Sequence, residues 1–344
     1  MNIFTSKLLA WYAQHKRDLP WRHTKDPYTI WLSEVILQQT RVAQGLPYFN
    51  RFLKRFPTVK DLANANEDEV LKLWQGLGYY SRARNLHKAA KEVTQQHNGI
   101  FPSSLKELLT LPGVGPYTAS AIASFCYEAP VAVVDGNVYR VLARYFDVEI
   151  PINHPKGIRY FQELAQSLID VDKPSVYNQA IMEFGALHCT PKQPLCTSCP
   201  LENLCQSRAN NTIALRPQKI KSKAVKNRFF HYLIPFDNRQ NTLLNRREGK
   251  DIWHGLYEFP LLEADCMLTE KALKLHPNLP SWAAAASWTR FEDEVMTHKL
   301  SHQTLHTHFW ILEDVKIKLP TPWTDVQNFG VPRLIERFLQ KFNR

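Results

Sequence analysis

Glycine is scarce in this sequence, 12 of 344 residues, roughly half the usual ~7 %. That scarcity argues against collagen, glycine-rich linkers and low-complexity disorder. No membrane helix is expected. The one uncharged run long enough to span a bilayer, residues 108–127, contains Pro112, Gly113, Gly115, Pro116 and several hydroxyls. Polar and charged residues interrupt 1–17 before an apolar targeting core forms, so no signal peptide is expected. Cysteine is also sparse. Of six, four crowd between 189 and 205, whereas a small disulfide-stapled secreted protein would spread them. This clustering reads as metal binding in a cytoplasmic, reducing setting. Acidic residues are missing between Glu202 and Asp237, where Arg208, Arg216, Lys219, Lys221, Lys223, Lys226 and Arg228 stand. The window reads as a linker over 209–226, either a solvated tether or one that rides on phosphates.

What is present is ordinary for a globular chain: 44% apolar and 22% charged residues. The length suggests two domains, 1–208 and 227–344, with a core that needs no disulfides. Forty-three Lys and Arg against 32 Asp and Glu leave a charge of +11. Such an excess favours a polyanion, with DNA, RNA and an acidic membrane surface all open. It also fits a basic surface kept for solubility.

Residues 1–188 read as helix after helix. Segments 67–74, 81–97, 105–110, 116–127, 135–145 and 175–187 are each punctuated by Gly or Pro. Asp26-Pro27 supplies an N-cap and a first-turn proline for the helix that carries Trp31, Glu34 and Gln38. Without strand–helix alternation a doubly wound sheet is not expected. Beyond Asn227 the texture changes. Residues 229–236 and 242–246 predict a hairpin through 237–241, 306–312 another strand, and 331–342 a terminal helix. The expected fold is all-α followed by α+β.

Three groups of residues carry chemistry. In Leu111-Pro112-Gly113-Val114-Gly115 the glycines permit a tight reversal. The helix opening at Pro116 then offers its N-terminus to an anion, so Gly113 and Gly115 are candidate phosphate-binding positions. An ordinary helix connection has the same spacing. Cys189, Cys196, Cys199 and Cys205 form a four-thiol set that suits either tetrahedral zinc or an iron–sulfur cluster. Cys126 and Cys266 read as buried spectators. Finally, Glu34 sits in an apolar stretch that would raise its pKa, while Asp135 starts a helix whose N-terminus would hold it ionised. An acid beside an ionised carboxylate suits glycosidic bond cleavage. Plain structural roles, a surface glutamate and a simple N-cap, fit the same residues.

Together these residues resemble the helix-hairpin-helix DNA glycosylase superfamily with an iron–sulfur loop. Asp18-Leu19-Pro20-Trp21-Arg22, Ser33-Glu34-Val35-Ile36-Leu37-Gln38-Gln39-Thr40, Gly76-Leu77-Gly78-Tyr79-Tyr80-Ser81-Arg82-Ala83-Arg84-Asn85 and Asn178-Gln179-Ala180 are similar to the adenine DNA glycosylase branch. The resemblance implies an all-α helix-hairpin-helix domain, a [4Fe–4S] cluster on the four cysteines of 189–205, and a Nudix-like α+β domain. It implies removal of adenine opposite 8-oxoguanine or guanine in duplex DNA, by a monomer, after the base is flipped from the stack.

The resemblance also assigns roles. Glu34 would protonate adenine, and Asp135 would stabilise the oxocarbenium ion or attack C1′. Asn137 and Tyr117 would support Asp135. Trp21, Arg22 and Gln179 would line the base pocket, and Gln39 and Tyr79 would wedge into the stack. Ser301 and His302 would bind 8-oxoguanine, behind Leu300 where the family usually has an aromatic. The endonuclease III-like branch has a lysine nucleophile where this chain has Tyr117, so little strand nicking is expected. No cluster of glutamates follows Trp253-His254-Gly255-Leu256-Tyr257-Glu258-Phe259-Pro260, which implies recognition and not pyrophosphate hydrolysis. Two rivals remain: an endonuclease III-like enzyme, and an iron–sulfur damage sensor without catalysis.

Overall fold

The computed structural model describes residues 2–220, 225–316 and 319–342. Helices α1 (Ile3–His15), α2 (Pro27–Leu37), α3 (Val42–Arg55), α4 (Val59–Asn64), α5 (Glu67–Trp74), α6 (Ser81–Gln96), α7 (Leu105–Leu108), α8 (Pro116–Tyr127), α9 (Gly136–Tyr145), α10 (Pro155–Leu168), α11 (Pro174–Leu187) and α12 (Gln206–Ala209) precede the first strand. Contacts divide the chain into a helical unit, Met1–Asn64 with Asn85–Lys221, and a strand-rich unit, Ala65–Arg84 with Ser222–Arg344. This differs from a single cut near 208, because 65–84 finds its partners in the later sequence. Lys72 donates to the carbonyls of Gln327 and Phe329, and Tyr257 donates to Asp68.

In the helical unit, α8 is the central rod. Its small and hydroxyl side chains let neighbours pack on every side, and residues 118–126 are all buried. Helix α2 starts where the sequence predicts, with Asp26 Oδ2 accepting from the Thr29 amide at 2.9 Å and Pro27 opening the first turn. Leu8, Trp11, Leu142, Phe161 and Phe184, from α1, α9, α10 and α11, form one continuous core. Truncating any of the large ones would cost about 2–5 kcal/mol.

The segment after α12 is no free tether. The Arg216 guanidinium is buried against Asp147 and Glu149. Ile152 donates its amide to Gln218, and Asn153 bonds Ile220 through both amide atoms. Arg216 is therefore spent on carboxylates and not on phosphates, which corrects the linker reading for 213–220. Lys221 and Lys223 lie outside the described residues.

The strand-rich unit holds β1 (Lys226–Pro235), β2 (Asn241–Thr242), β3 (Asn245–Arg246), β4 (Tyr257–Glu258), β5 (Leu261–Ala264), β6 (Ser287–Arg290), β7 (Met296–Lys299), β8 (Gln303–Glu313) and β9 (Thr321–Pro322), with α13 (Glu270–Lys274) and α14 (Arg333–Lys341). Five strands form a mixed sheet, β5-β1-β8-β6 with β7 also on β8. The two long strands β1 and β8 run parallel. Side chains alternate between faces. Phe230, Tyr232, Ile234 and Phe309 meet Leu334 and Phe338 of α14 on one face. Leu233, Trp310 and Leu312 meet Leu273 of α13 on the other.

The predicted hairpin does not form. Residues 237–241 do turn, with the Asp237 carboxylate accepting from Arg239 and Asn241. After the turn, however, β2 pairs with β9 and β3 with β4, while β1 takes β8 and β5 as neighbours. Parallel pairing with β8 buries β1 on both faces, which a two-stranded hairpin cannot do. The strand expected over 306–312 and the terminal helix are present as β8 and α14. His302 precedes β8, His306 stacks on Phe229, and His308 is buried beside His231. Of the two spectator cysteines, Cys126 is buried, but Cys266 is exposed. No helix among the described residues is long and apolar enough to cross a membrane.

Candidate active site and cysteine cluster

A cavity of about 970 Å³ opens in the helical unit. Trp21, Arg22, Glu34, Gln39, Tyr117, Asp135, Asn137 and Gln179 all line it. Eight residues separated by up to 158 positions thus share one cavity, which spacing alone could not show.

Glu34 is buried on α2 and not on a solvated face, at 6 % exposure. The Tyr117 hydroxyl, from the first turn of α8, donates to Glu34 Oε2 at 2.5 Å. Burial pushes the Glu34 carboxyl up to about 7. The Tyr117 bond and the Arg22 charge pull down, and the Asp135 charge pushes further up. Burial thus makes a proton available on this group near neutral pH. Burial and the two neighbouring carboxylates push the Tyr117 phenol well above its ordinary range, so it stays a donor.

Asp135 caps α9. Its Oδ1 accepts from the amides of Asn137 and Val138 at 2.8 Å each, and its Oδ2 from Asn137 Nδ2 at 2.7 Å. The cap geometry fits the sequence reading, but the electrostatic balance differs. Burial pushes the Asp135 carboxyl up, against those hydrogen bonds and the Arg140 charge. The approach to Asp135 is fixed by Asn178, which the sequence places in a matching motif without a role. Its side chain accepts from the Val133 amide and donates to Val131 and Ser124.

The far wall is built by α11. Gln179 accepts from the Tyr12 hydroxyl at 3.3 Å and donates to Ser175 Oγ at 3.2 Å. One turn later, Glu183 accepts five hydrogen bonds from Arg17 and Arg22. Trp21 packs edge-on against Phe49. Glu183, Arg17 and Tyr12 escaped the sequence reading. The available signal was the spacing of four from Gln179, which places Glu183 on the same helix face.

Two predicted positions have strained backbones. Gln39 and Tyr79 adopt left-handed φ of 54° and 47°, which costs a non-glycine residue about 1 kcal/mol or more. Tyr79 lies in the strand-rich unit, where its hydroxyl meets Ser301 Oγ at 2.5 Å. His302 is exposed next to Ser301.

In the hairpin before α8, Gly113 has φ of 74°, and a Cβ there would lie 2.6 Å from Asn85 Cβ. Gly115 is different. Its φ of −88° suits any residue, and a Cβ would meet nothing within 4 Å. The left-handed requirement thus applies to Gly113 alone.

Cys189, Cys196, Cys199 and Cys205 line a second, apolar cavity with His188, Leu195 and Ile213. Among the described residues, no three His, Cys, Asp or Glu side chains are placed to hold a single metal ion. Two buried arginines of α9 hold the loop. Arg144 donates to the carbonyls of Thr190, Pro191, Ile213 and Arg216 and approaches Cys189 Sγ at 3.5 Å. Arg140 joins the loop to the first cavity, donating to the Cys189 carbonyl at 2.7 Å and to Asn137 Oδ1 at 2.8 Å.

Comparison with known proteins agrees with both units. A family model described as HhH-GPD superfamily base excision DNA repair protein matches residues 32–183, and a NUDIX domain model matches 231–341. The chain is 32% identical to the adenine DNA glycosylase of Buchnera aphidicola subsp. Baizongia pistaciae over 357 residues, 99% of this chain and 97% of that protein. It is 45% identical to the adenine DNA glycosylase of Homo sapiens over 217 residues, 60% of this chain and 40% of that one. Among solved structures, a thermostable thymine-DNA glycosylase superposes with a TM-score of 0.56 at 31% identity, over 60% of this chain and 96% of its own. A non-covalent endonuclease III–DNA complex gives 0.53 at 23% identity, over 61% and 95%, a likeness of fold. With a helical helix-hairpin-helix unit followed by a strand-rich Nudix-like one, and a relative matched over nearly its whole length, the chain belongs to the adenine DNA glycosylase family of base excision repair enzymes.

Proposed function

We propose that this protein hydrolyses the N-glycosidic bond of adenine mispaired with 8-oxoguanine, or with guanine, in duplex DNA. The observation that carries the reading is the buried Glu34 carboxyl, bonded by Tyr117 and facing the charge of a capped Asp135 in one cavity. At about 970 Å³ the cavity lies at the upper end of small-molecule pockets, which run about 300–1,000 Å³. It has room for more than a flat base.

The chemistry follows from these residues. Adenine flips from the stack into the cavity at a cost of a few kcal/mol. Gln179 presents an amide donor and acceptor to the base edge. Glu34 transfers its proton to a ring nitrogen, so the base departs neutral. Positive charge builds on the sugar, and the Asp135 carboxylate stabilises it or attacks C1′. Water then completes hydrolysis, with Glu34 taking back a proton. Tyr117 has no amine for a Schiff base, so the strand is left intact. The two strained residues, Gln39 and Tyr79, would enter the stack. Ser301 and His302 would read the opposite 8-oxoguanine.

The open space at Gly115 favours close approach of a phosphate to the N-terminus of α8. The four thiols, with an apolar lining and an arginine at one sulfur, fit a [4Fe–4S] cluster held by Cys189, Cys196, Cys199 and Cys205. Such a cluster would cross-link the loop and supply one-electron redox capacity.

The test is single-turnover cleavage of a duplex with one adenine opposite 8-oxoguanine, stopped with and without hot alkali. Strand breaks only after alkali, lost in Glu34→Gln, are expected. Breaks without alkali would point to a lyase, and tight binding without product would leave a sensor.

A further inference from the structure

Glu34 must keep a proton at working pH, yet its cavity is also lined by three guanidinium groups, Arg17, Arg22 and Arg41, and by Lys25; of these, Arg17 and Arg22 stand together on one carboxylate. Positive charge near a carboxyl favours the ionised form. The charge of Arg22 acts on Glu34 directly. A cavity wall carrying both cations uncompensated would strip the acid of its proton.

The wall is compensated at one point. Glu183, 1 % exposed, takes the forks of both arginines. Its Oε1 accepts from the Arg17 amide, Arg17 Nε and Arg22 Nη1, and its Oε2 from Nη2 of each. Arg22 Nη1 also donates to the Arg17 carbonyl at 2.8 Å, and its guanidinium lies over the Tyr12 ring. The cation is thus held in one place by three partners. Bidentate arginine pairs of this kind fix orientation as well as charge. Burial pushes the Glu183 carboxyl up, but the bonds from Arg17 and Arg22 override it and hold it at about 2, so the counter-charge persists.

We propose that Glu183 is a positioning residue that sets the acid strength of Glu34 by holding and half-neutralising Arg17 and Arg22. The groups acting on Glu34 are then Tyr117 of α8, Asp135 capping α9, and Arg22; Cys126 of α8 feels its charge, and His23, Lys25 and Arg41 line the same cavity. Those facing Glu183 are Arg17, Arg22 and Tyr12 of α1. Both oxygens of Glu183 are taken up by the two arginines. It acts through the cation that Glu34 feels, and the proposal rests on Glu34 being the acid of the reaction above.

The experiment is the pH dependence of single-turnover adenine release from a duplex with adenine opposite 8-oxoguanine. It compares the wild type, Glu183→Gln, Glu183→Asp and Arg17→Gln, with thermal melting beside each. In the wild type the rate falls as pH rises through about 7, where Glu34 loses its proton. Glu183→Gln removes one negative charge, so this limb moves to lower pH by about 0.5–1 unit. Arg17→Gln removes one positive charge, so the limb moves the other way. Glu183→Asp keeps the carboxylate and restores the wild-type position. A structural defect would lower the rate in both charge variants without moving their limbs in opposite directions. A wild-type limb that stays fixed in Glu183→Gln, or moves upward, overturns this inference alone. If Glu183→Gln does not fold, the limb of Arg17→Gln decides: an upward shift supports the inference, and an unmoved or lowered limb overturns it. A wild type with no limb near neutrality, or an active Glu34→Gln, removes the acid itself and this inference with it.

Discussion

The Tyr117 hydroxyl donates to Glu34 Oε2 across 83 positions of sequence, the carboxyl buried and the tyrosine half-buried. The bond favours the ionised carboxylate, so it works against burial. Tyr117→Phe is therefore expected to raise the Glu34 pKa further and to move the alkaline limb of the rate profile up by about 0.5–1 pH unit. Single-turnover rates from pH 5 to 9 would show it. A limb in its original place would mean that the bond does not tune the acid.

Glu34 also sets a conflict between activity and stability. Its carboxyl rises from an ordinary value of 4.5 to about 7 on folding. The folded state thus binds the proton more tightly than the unfolded chain. The associated stability is fully present below pH 4.5 and is lost as pH rises through about 7. Glu34→Gln has no charge to bury. At pH 8 the inactive variant should be more stable than the wild type by about 1–3 kcal/mol, and the gap should close by about pH 5. Urea melts at both pH values check the sign.

The two hairpin glycines should separate fold from binding. Gly113→Ala strains a left-handed backbone and drives a Cβ into Asn85, so it should cost about 1–3 kcal/mol of stability. Gly115→Ala meets no atom of the chain. It should melt like the wild type and bind duplex DNA more weakly, with about the same loss for matched and mismatched duplexes. Melting curves and titrations at fixed salt measure the two effects.

Much of the site was legible because its residues fall in contiguous strings. Pro27 and Asp26 start α2 where capping chemistry puts it, and Asp135 caps α9 as its position ahead of an amphipathic run implies. Burial was not legible. The string around Glu34 is apolar, but only packing against α8 decides that the carboxyl is buried. The same holds for Asp135, whose cap the sequence shows and whose desolvation it does not. Glu183 went unread because a lone glutamate signals nothing until two arginines from 161 and 166 positions away converge on it. The hairpin failed for a topological reason: strand propensity says which residues extend, not which partner they take. Lys226 onward prefers β8, almost 80 residues later.

Ser301 should govern the choice of opposite base. Its hydroxyl is engaged by Tyr79, whose backbone is held in a left-handed turn. Ser301→Ala is expected to slow adenine removal opposite 8-oxoguanine by about 5–30-fold, the loss of one or two hydrogen bonds. Removal opposite guanine should change less. Equal losses on both duplexes would place Ser301 outside recognition.

The loop chemistry is tested through Arg144. Arg144→Met leaves four carbonyls without their donor and removes the positive charge beside Cys189. Iron content and visible absorbance per chain should fall, and melting should occur at lower temperature. Arg144→Lys should recover part of the iron, because one ammonium reaches fewer carbonyls than a planar fork. Full iron loading in Arg144→Met would show that the cysteines shape the loop unaided.

Arg144 also imposes an order on biosynthesis. Its acceptors sit at 190, 191, 213 and 216, so the guanidinium in α9 lacks two of its four carbonyls until residue 216 has been made. A nascent chain halted after α11 would carry a charged group in what later becomes its interior, and the desolvation cost of that charge keeps the surrounding helices from settling. The helical unit is therefore fully partnered only once the cysteine loop and the segment through 216 are in place, and a chain cut short before residue 216 is expected to be cleaved faster by protease than the full chain.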